Sequence, residues 1–494
     1  MDISAFVVKL LQSGLGNLAA YLAAHVLLCL VPAFFIAGGM AALIPKEAIT
    51  RFLGRNTPKS LSYPAAAAAG SVLAVCSCTI VPLFAGIYRK GAGLGPAITF
   101  LFFAPAANIL ALVYTGGIIG VDLAFARLLL SLAFGIGIGM IMALIFTRED
   151  IAHDKETDAL FAGKGHLRRS PLVFLLVLVA LLLSGTLKLG LLTNTYGQIT
   201  LPIPGMDGFQ DALFHLVPFD ASKGEEGVTA QGTFLIGLLI LIGLTAWKGL
   251  DDILEGFNRW TWAALVLVAL TLLTAAVGMN PHAGGLDILF TGKFFGVVLS
   301  LIVLIYLARY HLGGQEMRDW LWESWRFVKQ IFPLLVIGVF AVGVIRQLIR
   351  PEWIESLAGQ NTLLGNLAGV VFGVFMYFPT LVEVPIAKMF LSLGMHRGPL
   401  LAYLMADPEL SLQSILIISA IIGRLKTWTY VGWVALFSML AGLIYGSWVD
   451  GANVWIVALY LVVFLAVLAM ILYLMNKRNL QKAVASQVAT PEGR

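Results

Sequence analysis

One stretch of this chain occurs twice, and that repetition constrains the fold more than any other feature. Residues 70–108 (GSVLAVCSCTIVPLFAGIYRKGAGLGPAITFLFFAPAAN) align without a gap on residues 373–411 (GVFMYFPTLVEVPIAKMFLSLGMHRGPLLAYLMADPELS) when shifted by 303 positions. Gly70 falls on Gly373, Val81 and Pro82 on Val384 and Pro385, Gly91 on Gly394, Gly95 and Pro96 on Gly398 and Pro399, Leu101 on Leu404, and Pro105 on Pro408. Glycines and prolines dominate the coincidences, so what repeats is backbone shape. Both stretches are apolar, which sets them at membrane depth. Irregular backbone is tolerated there only where protein covers it or a cavity wets it. Interrupted hydrophobic segments at corresponding places in two halves of a chain point to a transporter's binding site.

The rest of the sequence agrees. Of 494 residues, 59% are hydrophobic and only 12% charged, with a mean hydropathy of +0.91; a soluble domain carries about 25% charged residues. The expected fold class is an all-α polytopic membrane protein whose solvent is the lipid bilayer. The net charge of +5 needs no nucleic-acid partner, because basic loops account for it. Three cysteines, Cys29, Cys76 and Cys78, lie in apolar runs and make no disulfide scaffold. Asp2 stands where a signal peptide would be basic, so no cleaved leader is expected. No Walker pattern, HExxH, paired CxxC, haem motif or catalytic triad is present, so neither an enzyme nor a cofactor is expected. Gly135, Gly137 and Gly139 read as a close helix-packing stripe rather than a nucleotide loop.

The chain divides into an amphipathic lead-in (1–15), a first transmembrane repeat (16–147), a loop (148–170), inter-repeat helices (171–310) holding a long Gly/Pro-rich loop (193–230), a second repeat (311–447), a last span (448–475) and a polar tail (476–494). Pro32 corresponds to Pro333, and the surface segments 45–54 and 351–359 correspond to each other. If segments 62–90 and 363–393 are re-entrant hairpins and the tail is cytoplasmic, 23 of the 32 Lys and Arg fall in cytoplasmic loops. That satisfies the positive-inside bias, whereas full crossings would put the basic loops 148–170 and 309–329 outside. About eleven full spans plus two hairpins follow, in two inverted repeats within the cell inner membrane. The hairpin tips would then meet near the midplane.

Cys76 and Cys78 would point about 200° apart on a helix but share a face in an extended stretch. With Gly70 before them and Pro82 after, unwinding is expected. Two thiolates on one face suit a soft, thiophilic centre such as trivalent arsenic or antimony, or a soft metal ion; the plainer reading is two small buried hydrophobes. Cys29, in mid-span before Pro32, reads as core, with a third ligand as the alternative. The expected substrate-binding set is Cys76, Ser77, Cys78, Pro82, Asn108, Thr380 and Glu383, with no metal ion beyond the two thiols as metalloid ligands. Proton-coupling candidates are Glu383, Lys388, Asp407 and Glu409, since charges at bilayer depth pair, face a cavity or relay protons. The bland alternatives are a local Glu383–Lys388 pair and an Arg127–Asp122 pair. Trp320, Trp322 and Trp325 read as an interfacial belt.

Cys76-Ser77-Cys78, Pro82, the run from Ala85 to Gly91 (AGIYRKG), Gly95-Pro96 and Ala104-Pro105 together resemble the signature of the ArsP-like predicted permeases. The likeness is dense over about 40 residues and extends to 379–383 and to Gly398-Pro399, with Thr79 standing where many members carry Gly. The resemblance implies a permease. The best-known branch of that family exports trivalent organoarsenicals such as methylarsenite, whose arsenic centre takes two thiolates. The expected activity is secondary-active export of a small thiophilic solute with proton coupling. A permease for another small solute, a thiol or an anion, is the second reading, and a thiol-based membrane redox enzyme the third. Oligomeric state is open.

Overall fold

The computed structural model describes residues 3–24, 26–72, 77–160, 168–187, 190–217, 227–282, 284–346, 352–375 and 380–453, together with 455, 458–459, 461–470 and 473–474. Among these, eight helices are long and apolar enough to cross a membrane, or up to ten if each bent pair is one span. The last expected span is described in part and contains the apolar helix Leu461–Met470.

The 303-residue offset carries over into helix bounds. Lys59–Val72 is matched by Leu363–Phe375, Ser77–Arg89 by Thr380–Ser392, Leu94–Ala106 by Arg397–Leu410, Ile109–Ile118 by Leu412–Ile422, and Val121–Ile145 by Arg424–Val449. Glycine sets the turn after each return arm. Gly91 and Gly394 both adopt φ of 89°, a left-handed conformation that costs a side chain with a Cβ. The residue after each closes a tight bond, Ala92 N to Ile87 O at 3.1 Å and Met395 N to Phe390 O at 2.9 Å.

Both paired segments leave on the side they entered. Before the first, the chain turns by 105° from Leu30–Leu43 into the short surface helix Glu47–Leu53. After it, Ala92 bridges back to Gly54, and Gly93 N donates to Leu53 O at 2.8 Å. In the second repeat His396, the equivalent of Gly93, donates to Ala358 O at 2.9 Å. The described parts of the arms of the first hairpin, 14 and 13 residues, each reach about 20 Å at 1.5 Å per residue, against roughly 30 Å for the hydrocarbon core.

Polar contacts at the helix ends fix the relative sense of the repeats. Asp150, just past Val121–Ile145, accepts from Leu94 N at 2.9 Å, so the start of the first broken span lies at the end of the span that follows it. His396 and Asp450 repeat this arrangement in the second half, at 2.8 Å. Asp122, at the opposite end of Val121–Ile145, lies 2.9 Å from Arg397 and accepts from Tyr445 OH at 2.7 Å. The second broken span therefore starts where the first one finishes, and the repeats are inverted.

The half-helix Leu94–Ala106 is buried at every residue, Arg397–Leu410 at every residue after Arg397, and the two pack on each other. Around them the return arms cross over. Ser77–Arg89 packs on Leu412–Ile422 of the other repeat, and Thr380–Ser392 packs on Ile109–Ile118. One end of the bundle gathers basic and acidic side chains: Arg55 with Asp150, Arg89 with Glu323, Arg168 with Glu316, and Lys329 with Asp251. The other end carries a small antiparallel sheet in which Gly285–Thr291 lies between Thr195–Leu201 and Gly278–His282. The Gly/Pro-rich loop thus contributes a strand, and it also holds the helix Met206–Leu216.

Candidate functional site

Each broken span is interrupted after a half-helix that contains proline near its end, Pro105 or Pro408. Proline contributes no N–H to the ladder, and its ring crowds the preceding turn. A capped second half then starts. Asn108 is 1% exposed; its Oδ1 accepts from Ala111 N at 2.8 Å and its Nδ2 donates to Pro105 O at 3.4 Å. At the equivalent position the Ser411 hydroxyl accepts from Ser414 N at 3.4 Å and donates to Ser414 Oγ at 2.7 Å. Asn108 therefore spends its polar atoms on the break itself, as an N-cap.

The breaks hold buried ionisable groups. Arg127, 0% exposed, reaches in from Val121–Ile145. Its Nε donates to Ala106 O at 2.7 Å, Nη1 to Thr115 Oγ1 at 3.3 Å, and Nη2 to Glu383 Oε1 at 2.9 Å. One guanidinium thus ties both halves of the first broken span to the return arm of the opposite hairpin. Glu383 is 0% exposed, and its Oε2 has no hydrogen-bond partner among the described residues. In the second broken span, Asp407 and Glu409 flank Pro408 and are 0% and 2% exposed. Tyr430, wholly buried, donates its hydroxyl to Glu409 Oε2 at 2.7 Å. Glu409 lies within electrostatic range of both Glu383 and Arg127.

Two local pairings expected from sequence give way to longer-range ones. Glu383 pairs with Arg127 rather than Lys388, which is exposed. Residues five apart on a helix point about 140° apart, so the two project from different faces of Thr380–Ser392. Asp122 pairs with Arg397 rather than Arg127, because Arg127 lies more than a turn further along its helix and faces the break. Arg127 and Tyr430 were not among the expected site residues. The signal that finds them is the repeat itself, since an offset of 303 places one on the other and both point at the break of their own half.

The cysteine motif sits at the start of a return arm. Ser77 is the first residue of Ser77–Arg89 and falls between the two cysteines; Thr380 is the first residue of the matching arm. Cys78 is helical in backbone, and Cys76 lies outside the described residues, as does Pro379. Helix continues through Pro82, which is buried, so the expected break at the proline does not occur. Among the described residues no cluster of three or more His, Cys, Asp or Glu could hold a metal ion. At the basic end a cavity of about 490 Å³ opens beside the exit of the first return arm, lined by Arg89, Lys90, His153, Glu156, Trp322 and Arg326 among others. Burial depresses Lys90 to about 8, opposed by Glu323 and Glu47.

Comparisons with known proteins bear on this arrangement. The ArsP family, described as predicted permease, matches residues 13–447. The UPF0718 protein MJ0584 of Methanocaldococcus jannaschii is 32% identical over 447 residues, covering 90% of this chain and 98% of that protein. The UPF0718 protein YraQ of Escherichia coli K12 is 27% identical over 118 residues, covering 24% of this chain and 34% of that protein. No solved structure matches the chain.

Proposed function

The chain belongs to the ArsP family of predicted permeases, a membrane transporter rather than an enzyme, and from that premise we propose that it exports a small thiophilic solute, a trivalent organoarsenical of the methylarsenite kind, by secondary-active, proton-coupled transport across the cell inner membrane. The observation that carries this reading is the place of the Cys-Ser-Cys motif along the chain, at the start of a return arm. Cys76 and Cys78 straddle the first residue of a return arm that packs on the second half of the other repeat's broken span. The inverted counterpart of that arm brings in Glu383. A soft As(III) centre accepts two thiolates, and thiol loading on one hairpin with protonation of a buried carboxyl of the other repeat is a workable basis for alternating access.

The basic end supports an orientation. The Lys- and Arg-rich loops gather there, which by the positive-inside bias makes it cytoplasmic. The cavity beside Arg89 and Lys90 would then be the vestibule from which solute is taken up.

The test is growth of an arsenic-sensitive bacterium expressing the wild type or the Cys76→Ser/Cys78→Ser double variant on methylarsenite and on antimonite. Resistance conferred by the wild type and lost in the double variant is the expected result. Full resistance in the double variant would move the reading to a permease whose solute does not use the cysteines. No resistance from a well-expressed wild type would remove the organoarsenical.

A further inference from the structure

The two breaks are chemically unlike, and the difference falls on positions that the repeat makes equivalent. The 303-residue offset carries Ala106 onto Glu409 and Arg127 onto Tyr430. In the first repeat a permanent cation meets the carbonyl end of Leu94–Ala106, with Arg127 Nε 2.7 Å from Ala106 O. In the second, the matching end of Arg397–Leu410 carries the Glu409 carboxyl, met by a phenol through Oε2. The other oxygen, Oε1, has no hydrogen-bond partner among the described residues, and the residue is 2% exposed. Gln413, one turn further on and 1% exposed, likewise has no partner there for either amide atom.

That placement has an electrostatic cost. The C-terminal end of a half-helix is the negative end of its dipole, and an ionised carboxyl taken out of water without a counter-charge is strongly disfavoured. The charged groups nearby are few. Leu94–Ala106, Leu363–Phe375 and Leu412–Ile422, which pack on the same half-helix, contain no titratable side chain. Val121–Ile145 brings Arg127, already engaged with Glu383; its Asp122 is bound to Arg397 at the far end. Thr380–Ser392 brings Glu383, while its Lys388 is exposed. Arg424–Val449 brings Tyr430; its Tyr445 is bound to Asp122, and Arg424 and Lys426 stand in its first turn. Asp407, 0% exposed, is a second carboxyl on the same half-helix, which also carries Tyr403 and, at its far end, Arg397. Where the first repeat sets a built-in cation against its break, the second sets a neutral phenol beside a carboxyl.

We infer that the second break is the site of an exchangeable monovalent cation, a proton or a sodium ion, held by Glu409 with Tyr430, and that Arg127 is its fixed counterpart in the first repeat. When the ion is a proton, it joins Glu409 Oε1, the carboxyl becomes neutral and Tyr430 still donates to Oε2. Its release regenerates the carboxylate and delivers the proton to whichever side is open. Residue 430 therefore decides whether a break is exchangeable or locked. The role in transport rests on the proposed coupled permease; the cation site itself does not.

Infrared difference spectra of the purified full chain in nanodiscs, between acidic and alkaline buffer without solute, test the site directly. The expected result is a buried carboxyl C=O band in the wild type that is lost in Glu409→Gln and shifted in Glu409→Asp. The band should also vanish in Tyr430→Arg, because a permanent cation beside Glu409 keeps it ionised throughout. At alkaline pH, replacing choline chloride by sodium chloride perturbs the carboxylate band if the site takes sodium and leaves it unchanged if it takes only protons. A wild-type spectrum with neither a carboxyl band nor a sodium response would overturn the inference. So would a band that persists in Glu409→Gln or is unchanged in Tyr430→Arg. Both variants must elute as single species with wild-type helicity, and Glu409→Asp serves where Gln fails to fold. Methylarsenite flux into vesicles with an imposed proton gradient separates the two claims. Absent wild-type flux sinks the solute reading and leaves the infrared result standing. Wild-type flux that keeps its full dependence on the gradient in Glu409→Gln removes the site from coupling.

Discussion

Gly373 stands directly against the backbone of Asp407: a Cβ on Gly373 would lie 2.8 Å from the Asp407 amide nitrogen, just as one on Gly70 would lie 3.0 Å from that of Ala104. Glycine at these two places lets the descending arm of each hairpin touch the half-helix beside it. Gly373→Val should therefore force backbone apart, at a cost of about 1–3 kcal/mol for an overpacked site. Gly70→Val should behave alike. Gly117→Ala, whose added methyl would meet nothing within 4 Å, should be neutral or slightly stabilising. Thermal unfolding of the three variants in detergent checks the ordering; an unaltered midpoint for Gly373→Val would mean that the contact does not exist.

Arg127 and Glu383 form an ion pair in which both side chains are 0% exposed. Removing one partner of a buried pair strands the other charge, at a cost of about 3–5 kcal/mol. Arg127→Met should lose stability on that scale, because it also frees Ala106 O, and Glu383→Gln should lose less, since an amide oxygen still accepts from the guanidinium. Arg127→Met combined with Glu383→Leu should recover much of the loss, because the pair then leaves no uncompensated charge. A double-mutant cycle on unfolding midpoints reads the coupling; strict additivity would show that the two side chains do not interact.

Much of this was legible in the residues. Glycine and proline positions repeat because turns and breaks need their backbone properties, so the offset between Gly91 and Gly394 transfers directly to two equal φ angles. The inverted sense was legible through the charge asymmetry of the loops, a property of composition rather than of contacts. Pairings were not legible. Arg127 meets Glu383 across 256 residues, and nothing local distinguishes that partner from Asp122. The tryptophans misled in part for the same reason. Trp320, 9% exposed, donates to Phe35 O, and Trp325, 7% exposed, donates to Asp251, so both close the basic end of the bundle, where an interfacial belt would have faced lipid. The small sheet escaped in part because Thr195–Leu201 pairs with Gly285–Thr291 from the far side of two apolar helices, a separation that leaves no local pattern.

Lys90 gives the chain a specific pH response. It is 4% exposed, and burial lowers it to about 8, against about 10.4 in the unfolded chain. Between those values the unfolded chain holds a proton that the folded one has released, so stability rises with pH through this window. Below about 8 both states are protonated and the folded state bears the whole of the ammonium's net burial cost, which Glu323 and Glu47 offset in part. Lys90→Met should thus be more stable than wild type near neutrality, with the advantage shrinking as pH climbs towards about 10.4. Unfolding midpoints of both proteins across this range check it; parallel curves would mean that Lys90 is not desolvated.

The inverted arrangement makes the chain just before each hairpin visible from opposite faces of the membrane. Asn56 and Gln360 are both exposed, each in the short turn between a surface helix and a descending arm. Asp150 bound to Leu94 N and to Arg55 puts the first turn at the basic end. His396, joined to Ala358 O and to Asp450, puts the second at the end that carries the sheet. On the proposed orientation, with the basic end in the cytoplasm by the positive-inside bias, Gln360→Cys in a chain whose three native cysteines are replaced by serine should react with a membrane-impermeant maleimide in intact cells. Asn56→Cys should react only after the cells are permeabilised. Reaction of both from one side would break the two-fold relation on which the shared centre of Arg127, Glu383, Glu409 and Tyr430 depends; reversal of the two would keep that relation and turn the transporter over in the membrane.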